Sequence, residues 1–297
     1  MNIIGEHIDY LGGSVLPFAC NLEVRITVTG PADEADFRSS YGDVEAYVRC
    51  VAEALSSHGY DVDPCRGEIE SDIPVGAGLS SSAALAAAIA LALTAGGPIR
   101  DPVVLQDAER CATGVVGGIM DQTAVLKARA GHAMLLDCAS GVVEYVPIPA
   151  SIGFVVVDTG TRRQLSDGRY AQRRAEVEAG EPRRVRHAES EQRRVYDAVD
   201  ALRAGDAASL GALVSDSHAS LRDDFEVSSP ELDAAVDVAR AHEQCCGARL
   251  VGAGFAGCVL AVVEGGAATE VAAFVQEHLP SATAFGVRAV DGAGRRA

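Results

Sequence analysis

Residues 74–85 read PVGAGLSSSAAL and continue as AAAIALAL, so a glycine-rich turn is joined without a break to a long alanine-rich apolar stretch. No other segment narrows the possible folds as much. Gly76 and Gly78 admit the left-handed backbone of a tight turn and let another molecule come close. Ser80, Ser81 and Ser82 are residue types that cap helix starts, and the alanines and leucines behind them are strong helix formers. A helix start carries free N–H groups and roughly half a positive charge, a ready seat for a phosphate chain. The same residues also fit a capped, buried helix behind a tight turn, and the turn alone leaves both readings open.

The chain is long and apolar enough for a large core and two domains, with 297 residues of which 48% are hydrophobic. Its 42 acidic residues outnumber 25 basic ones, leaving a net charge of −17. A nucleic-acid partner, which needs a basic face, is not expected. An anionic nucleotide would need compensation from Mg²⁺ or helix dipoles. Lys127 is the only lysine, so the lysine-containing phosphate-loop pattern GxxxxGK(S/T) is absent. Eight cysteines are scattered without a CxxC pair. They read as small buried hydrophobes in a reducing compartment, in preference to a structural zinc site. MNIIGEH has neither the basic nor the apolar region of a signal peptide. The longest apolar run, around residues 83–95, is too short to span a bilayer. A soluble cytoplasmic protein is expected.

Residues 14–29 read as strand with a turn, 31–42 as polar loop, and Val44, Tyr47, Val48, Val51 and Leu55 recur at helical spacing. Arg66–Ile73 alternates like a strand that feeds the glycine turn. Gly96-Gly97-Pro98 breaks the chain before a helix from about Pro102 to Cys111. Strands are predicted at 132–137, 142–148 and 152–158, then charged helix over 170–204. The end reads helix (230–243), strand (248–250), glycine turn (251–257), strand (258–263), helix (268–279) and strand (284–290). This is an α+β pattern with a sheet that helices cover on one side.

Four clusters carry polar chemistry. GEHIDY places Glu6, His7 and Asp9 within four residues beside Gly12 and Gly13. Carboxylates and an imidazole suit sugar hydroxyls, which both donate and accept. A charged surface turn is the plain alternative, and metal ligation by His7 with Glu6 or Asp9 a weaker one. The glycine–serine turn is the second cluster. In GGIMDQ, Asp121 is the sole acid among glycine and apolar residues, which fits a helix cap or a working base equally well. Glu109 lies on the preceding helix, placed for a metal or simply for the surface. VGAGFAGC, residues 251–258, is on its own best read as a close-packed bend.

Taken together and in this order, GEHIDY, PVGAGLSSSAAL, GGIMDQ and VGAGFAGC resemble the galactokinase branch of the GHMP sugar and metabolite kinases. AERCATGVVGGIMDQ, GHAMLLDC, DGRYAQRRAEVEAG, LRDDFEVSSPELD and GARLVGAGFAGC carry the likeness along most of the chain. The resemblance implies an α+β fold with an N-terminal α/β domain (1–150), a ferredoxin-like C-terminal domain (151–297) and the active site between them. It implies transfer of the γ-phosphoryl group of ATP to the anomeric hydroxyl of a sugar. By motif match, Glu6, His7, Asp9, Gly118 and Tyr170 bind the sugar. Gly76, Ala77, Gly78, Leu79, Ser80, Ser81 and Ser82 wrap the triphosphate, Ser81 and Glu109 stand near Mg²⁺, and Asp121 is the general base.

Three departures stand out. The family pattern places an arginine two residues before the asparagine matched by Asn2, ahead of Met1. The expectation is either a start inside the gene or a lost arginine, with the first strand cut short. The segment between GEHIDY and the glycine turn is several dozen residues shorter than the family leads one to expect, which leaves the sugar open. Ala253 and Ala256 stand where the family prefers glycine, at a cost on the order of 1 kcal/mol if either needs positive φ. Galactose leads as substrate. N-acetylgalactosamine, a uronic acid or arabinose, a non-catalytic sugar and ATP sensor, and an inactive kinase fragment are the alternatives. A monomer is the default.

Overall fold

The computed structural model describes residues 1–39, 42–74, 76–115, 117–162 and 168–295; Val75, Val116 and Asp167 of the quoted motifs lie outside the described residues. In chain order the elements are β1 (Ser14–Val15), β2 (Val24–Pro31), β3 (Asp36–Ser39), α1 (Glu45–Ser57), β4 (Cys65–Ser71), α2 (Ser81–Leu93), α3 (Pro102–Thr113), α4 (Met120–Lys127), β5 (His132–Asp137), β6 (Val143–Pro147), β7 (Ile152–Asp158), α5 (Arg169–Glu178), α6 (Pro182–Ala204), α7 (Ala207–Asp223), α8 (Pro230–Arg240), β8 (Cys245–Leu250), β9 (Cys258–Glu264), α9 (Ala268–His278) and β10 (Thr283–Val287). Among the described residues no helix is long and apolar enough to cross a membrane.

The chain forms two compact units that interleave in sequence. One comprises Met1–Asn21, Gly76–Leu79 and Arg129–Val290, the other Leu22–Val75, Ser80–Ala128 and Asp291–Ala297. The N-terminal strand β1 pairs with β5, Ser14 opposite Asp137, which ties the first residues to the long C-terminal stretch.

In the smaller unit β2 runs antiparallel and β3 parallel to the central β4. Along β4 burial alternates, Cys65, Gly67 and Ile69 inward against Arg66, Glu68 and Glu70 outward, the period of a half-buried strand. Helices α1, α2 and α3 supply the rest of the core through Val51, Leu55, Ile89, Leu93 and Val104. Apolar residues surround α2 on every face, as befits a helix enclosed by others. The third helix starts where the Asp101 carboxylate accepts the Val103 N–H at 3.0 Å, with Pro102 in its first turn, and ends at a left-handed Gly114. Strand β3 falls in the stretch expected to be loop: DFRS carries no apolar alternation, and it pairs with β4 as an edge.

In the larger unit four antiparallel strands follow the order β10-β7-β9-β8. Val155, Val157, Val259 and Ala261 point toward Leu232 of α8 and Val271 of α9. Phe154, Val156, Leu260 and Val262 are buried as well, and the Phe18 ring stacks on Phe154 at 5.2 Å. The face that the helices leave is therefore closed by the N-terminal segment. The seventh helix, α7, had no counterpart in the sequence reading, because its serines, aspartates and Gly211 weaken the local helix signal.

Cys50 of α1 and Cys111 of α3 form a disulfide across a Cα–Cα distance of 5.7 Å, which corrects the expectation that all eight cysteines are thiols. Two packed helices bring the pair together over 61 residues of sequence, a separation no spacing rule would match. Closing a loop of that length restricts the unfolded chain by about 4 kcal/mol.

Candidate active site

The expected site residues divide between the units. Glu6, His7, Asp9, Tyr170 and the segment Gly76–Leu79 belong to the larger one; Ser80, Ser81, Ser82, Glu109, Gly118 and Asp121 belong to the smaller.

Within the larger unit the GEHIDY loop is buried, not a surface turn: Glu6 is 3% and His7 4% exposed. His7 holds a left-handed backbone with φ 63°, a strained conformation for a non-glycine residue that persists only where its surroundings enforce it. Its ring lies 4.5 Å from that of Phe225 and 5.7 Å from that of Tyr170, and its Nδ1 is 3.3 Å from the Tyr10 hydroxyl. Tyr10 and Tyr170 meet edge to face at 5.9 Å. Burial pushes the Tyr10 hydroxyl well above its usual range, so it stays protonated as a hydrogen-bond partner. Asp9 opens a short 3-10 turn behind His7 and remains partly exposed. Tyr170 comes at the start of α5, after a left-handed Gly168. Among the described residues Glu6, His7 and Asp9 do not form a set of closely spaced ligand atoms, so the metal reading of GEHIDY has no geometric support.

Behind this loop lies a buried charge network absent from the sequence reading. Arg249, wholly buried at the end of β8, forms a close ion pair with Glu6 and lies 3.6 Å from Glu191 of α6. Glu191 Oε1 accepts the Gly5 N–H at 2.9 Å and the Ser217 hydroxyl at 2.7 Å. His187 Nε2 meets the Glu6 carbonyl at 3.1 Å; that carbonyl only accepts, so Nε2 carries the proton and Nδ1 accepts from the Ser220 hydroxyl at 2.9 Å. Glu6 is thus anchored through both its carboxylate and its backbone. GARL and PRRVRHAESE contain these residues, but a lone arginine before a glycine turn and a charged helix read equally well as solvated surface.

The network is expected to set the acid limit of the fold. Burial alone raises the Glu191 carboxyl, but the charge that His187 takes up in acid, those of Arg249 and Arg194 and the Ser217 hydroxyl outweigh it and hold it down to about 2. Burial pushes the His187 imidazole below its usual range. Both groups take up protons more readily when unfolded, so both contribute stability that is present above their unfolded pKa values and lost as the pH falls. For Glu191 that contribution is about 3 kcal/mol at neutral pH, lost between roughly pH 5 and 2. Urea midpoints measured from pH 7 to 3 are expected to fall steeply, and Glu191→Gln to fall less steeply. Parallel slopes in the two proteins would remove Glu191 from the acid limit.

The two glycine turns pack backbone against backbone inside the larger unit. A Cβ at Gly257, whose φ is +104°, would come within 2.6 Å of the Ala77 carbonyl oxygen, and one at Gly254 within 2.2 Å of that of Val227. The Gly252 N–H is donated to Glu6 Oε1 at 2.9 Å, so the buried carboxylate fixes the second turn as well. VGAGFAGC is therefore the close-packed bend that its residues alone favoured. Ala253 and Ala256 are not among the positive-φ residues; the left-handed positions fall on Gly252, Gly254, Phe255 and Gly257, and the two alanines carry no such strain.

Within the smaller unit the serines lead into α2. Ser80 takes the N-cap place with φ 52°, again left-handed, and caps nothing with its side chain. The Ser82 hydroxyl meets Glu109 of α3 and Tyr47 of α1. Glu109 also accepts from Gln122 Nε2. Burial pushes the Glu109 carboxyl up, and the nearby charge of Asp121 adds to that rise. Asp121 sits in the first turn of α4, at the positive end of the helix dipole. Gly118 lies in the preceding loop, whose Gly117 carbonyl is held by Gln106 Nε2 at 3.1 Å. The Glu109 carboxylate beside the Ser82 hydroxyl offers hard oxygens of the kind Mg²⁺ takes.

The comparisons with known proteins decide the family. The chain matches the GHMP kinases N terminal domain over residues 46–129, the GHMP kinases C terminal domain over 198–281 and the galactokinase galactose-binding signature over 1–29. It is 35% identical to a galactokinase of Roseiflexus sp., covering 99% of this chain and 90% of that one. The chain belongs to the galactokinase family. A galactokinase of Thermotoga maritima is likewise 35% identical, over 90% of this chain and 88% of its own. Among solved structures, Lactococcus lactis galactokinase complexed with galactose superposes with a TM-score of 0.85 at 27% identity, covering 98% of this chain and 92% of that one. Methanococcus jannaschii mevalonate kinase shares the fold at 19% identity and a TM-score of 0.74, covering 98% and 96%. The Roseiflexus alignment runs over 356 positions against the 297 residues here, so the galactokinase fold is retained with dozens of positions fewer.

Proposed function

We infer that the chain phosphorylates galactose at its anomeric hydroxyl with ATP, giving galactose 1-phosphate and ADP. The observation that carries this reading is where the galactose-binding signature falls: on the buried loop where His7, Tyr10, Tyr170 and Phe225 gather their rings. Aromatic rings offer a flat apolar wall to a sugar face, while His7 and Asp9 bind its hydroxyls. Glu6 and Gly118 complete the sugar set, Glu6 chiefly by holding the loop. The triphosphate lies along Gly76–Ser82, whose glycines permit backbone approach and whose helix start favours negative charge. Glu109 with Ser81 or Ser82 holds Mg²⁺, which when bound neutralises phosphate charge. Asp121 takes the proton of the attacking hydroxyl. Phosphoryl transfer asks the protein for positioning and charge stabilisation rather than covalent help, and these residues supply both. The kinase halves are read as 1–150 and 151–297, acting as a cytoplasmic monomer.

A coupled ADP-release assay with Mg·ATP tests this reading across galactose, N-acetylgalactosamine, galacturonate and arabinose. Turnover is expected with galactose above the others. Turnover confined to another sugar reassigns the substrate, and galactose binding without ADP release in any case points to a sensor.

A further inference from the structure

The disulfide ties together the two helices that both reach Ser82. Cys50 is one turn beyond Tyr47 on α1, and Cys111 is two residues beyond Glu109 on α3. Tyr47 and Glu109 both hydrogen-bond the Ser82 hydroxyl at the start of α2, and Glu109 continues to Gln122, the neighbour of Asp121. Cys111 lies in the last turn of α3, where a helix frays most readily, and the S–S bond pins that turn to α1.

We propose that Cys50–Cys111 is a redox modification site whose reaction partner is a dithiol reductant, and that its state sets how tightly the Tyr47–Ser82–Glu109 cluster holds the metal nucleotide. The proposal rests on the kinase reading above, because ATP is a cytosolic substrate and a disulfide met there is a transient one.

The two sulfurs differ in access. Cys50 is fully buried, whereas Cys111 is exposed, its Sγ 3.8 Å from the Glu53 carboxylate. A thiolate of the dithiol attacks Cys111 Sγ, the S–S bond breaks, and Cys50 leaves as thiolate and takes a proton from solvent. The second thiol of the reductant, as thiolate, attacks the mixed disulfide and forms the reductant's own disulfide. Cys111 is released as thiolate and is protonated in turn. Two electrons and two protons have then passed to the chain. Competing exchange is slow, since burial pushes the thiols of Cys65, Cys138, Cys245, Cys246 and Cys258 above their usual range and keeps them protonated. The fold outlasts the bond because Val51, Leu55, Val104 and Leu105 still pack between the helices.

The test equilibrates the full chain over a range of dithiothreitol redox ratios and reads two things. Alkylation with mass mapping is expected to show Cys50 and Cys111 gaining thiols together as one two-electron couple. Binding of Mg²⁺ with a non-hydrolysable ATP analogue, followed by calorimetry, is expected to weaken about fivefold or more on reduction, the scale of a modest coupling between sites. The Cys50→Ser/Cys111→Ser protein is expected to bind like the reduced form and to ignore dithiothreitol, while Cys245→Ser keeps the response. Full alkylation of Cys50 and Cys111 under oxidised dithiothreitol overturns the site. Equal nucleotide binding by the two forms overturns the coupling alone. Absence of nucleotide binding in both overturns the coupling together with the kinase reading, and the thiol titration still decides the site.

Discussion

Asp121→Asn is expected to lower galactose turnover by about 10²–10⁴-fold, the range a positioned general base contributes. Asparagine matches the side chain in shape, so the first turn of α4 and the packing of Met120 and Thr123 beside it are left in place. What disappears is the charge and the ability to take a proton. Two further readouts separate this from a structural effect. The affinity for Mg²⁺ with a non-hydrolysable ATP analogue should remain largely intact, because Glu109 and Ser82 are untouched. Since the Asp121 charge contributes to the raised Glu109 carboxyl, the variant should also let Glu109 ionise more easily. Wild-type turnover in the variant would remove Asp121 from the chemistry, and a parallel loss of nucleotide binding would recast it as part of the metal site.

How much of this the sequence discloses depends on how local the signal is. Helix α3 is legible to within two residues because Asp101, Pro102 and Gly114 mark its ends by their own backbone chemistry. Strand β5 is read at both ends, from a short apolar run bounded by turn residues. Strand β3 is not, since pairing with β4 gives it its shape, and helix α7 is not, since packing overrides a weak propensity. The site follows the same division. His7, Asp9 and Asp121 stand in compact motifs whose residue types suit a polar ligand. Tyr10 lies inside GEHIDY and was within reach of the same argument. Phe225, Tyr47 and Arg249 are distant in sequence from what they touch and carry no local mark of it. Nor does the Cys50–Cys111 pair, whose partners meet only once two helices have packed.

Arg249→Met is expected to cost about 3–5 kcal/mol of stability, the penalty for removing one partner of a buried ion pair and leaving the others charged. Methionine is long and flexible enough to fill the space, so the cost is electrostatic: Glu6 and Glu191 lose a guanidinium that faces both. Neutralising one of the stranded carboxylates should recover part of it. Arg249→Met/Glu191→Gln is therefore expected to be more stable than Arg249→Met, a coupling that independent sites would not show. The functional consequence follows from geometry. Glu6 Oε1 is shared between Arg249 and the Gly252 N–H, and the same residue's backbone carbonyl is fixed by His187. Loosening Glu6 releases the strained His7 beside it and the bend that packs on Ala77. At a temperature where the variant is folded, KM for galactose should rise more than kcat falls, because Arg249 reaches the sugar only through Glu6 and His7. An unchanged KM alongside the stability loss would leave Arg249 a structural cation. A rise in KM reversed by Arg249→Lys would identify its charge as what holds the loop in shape.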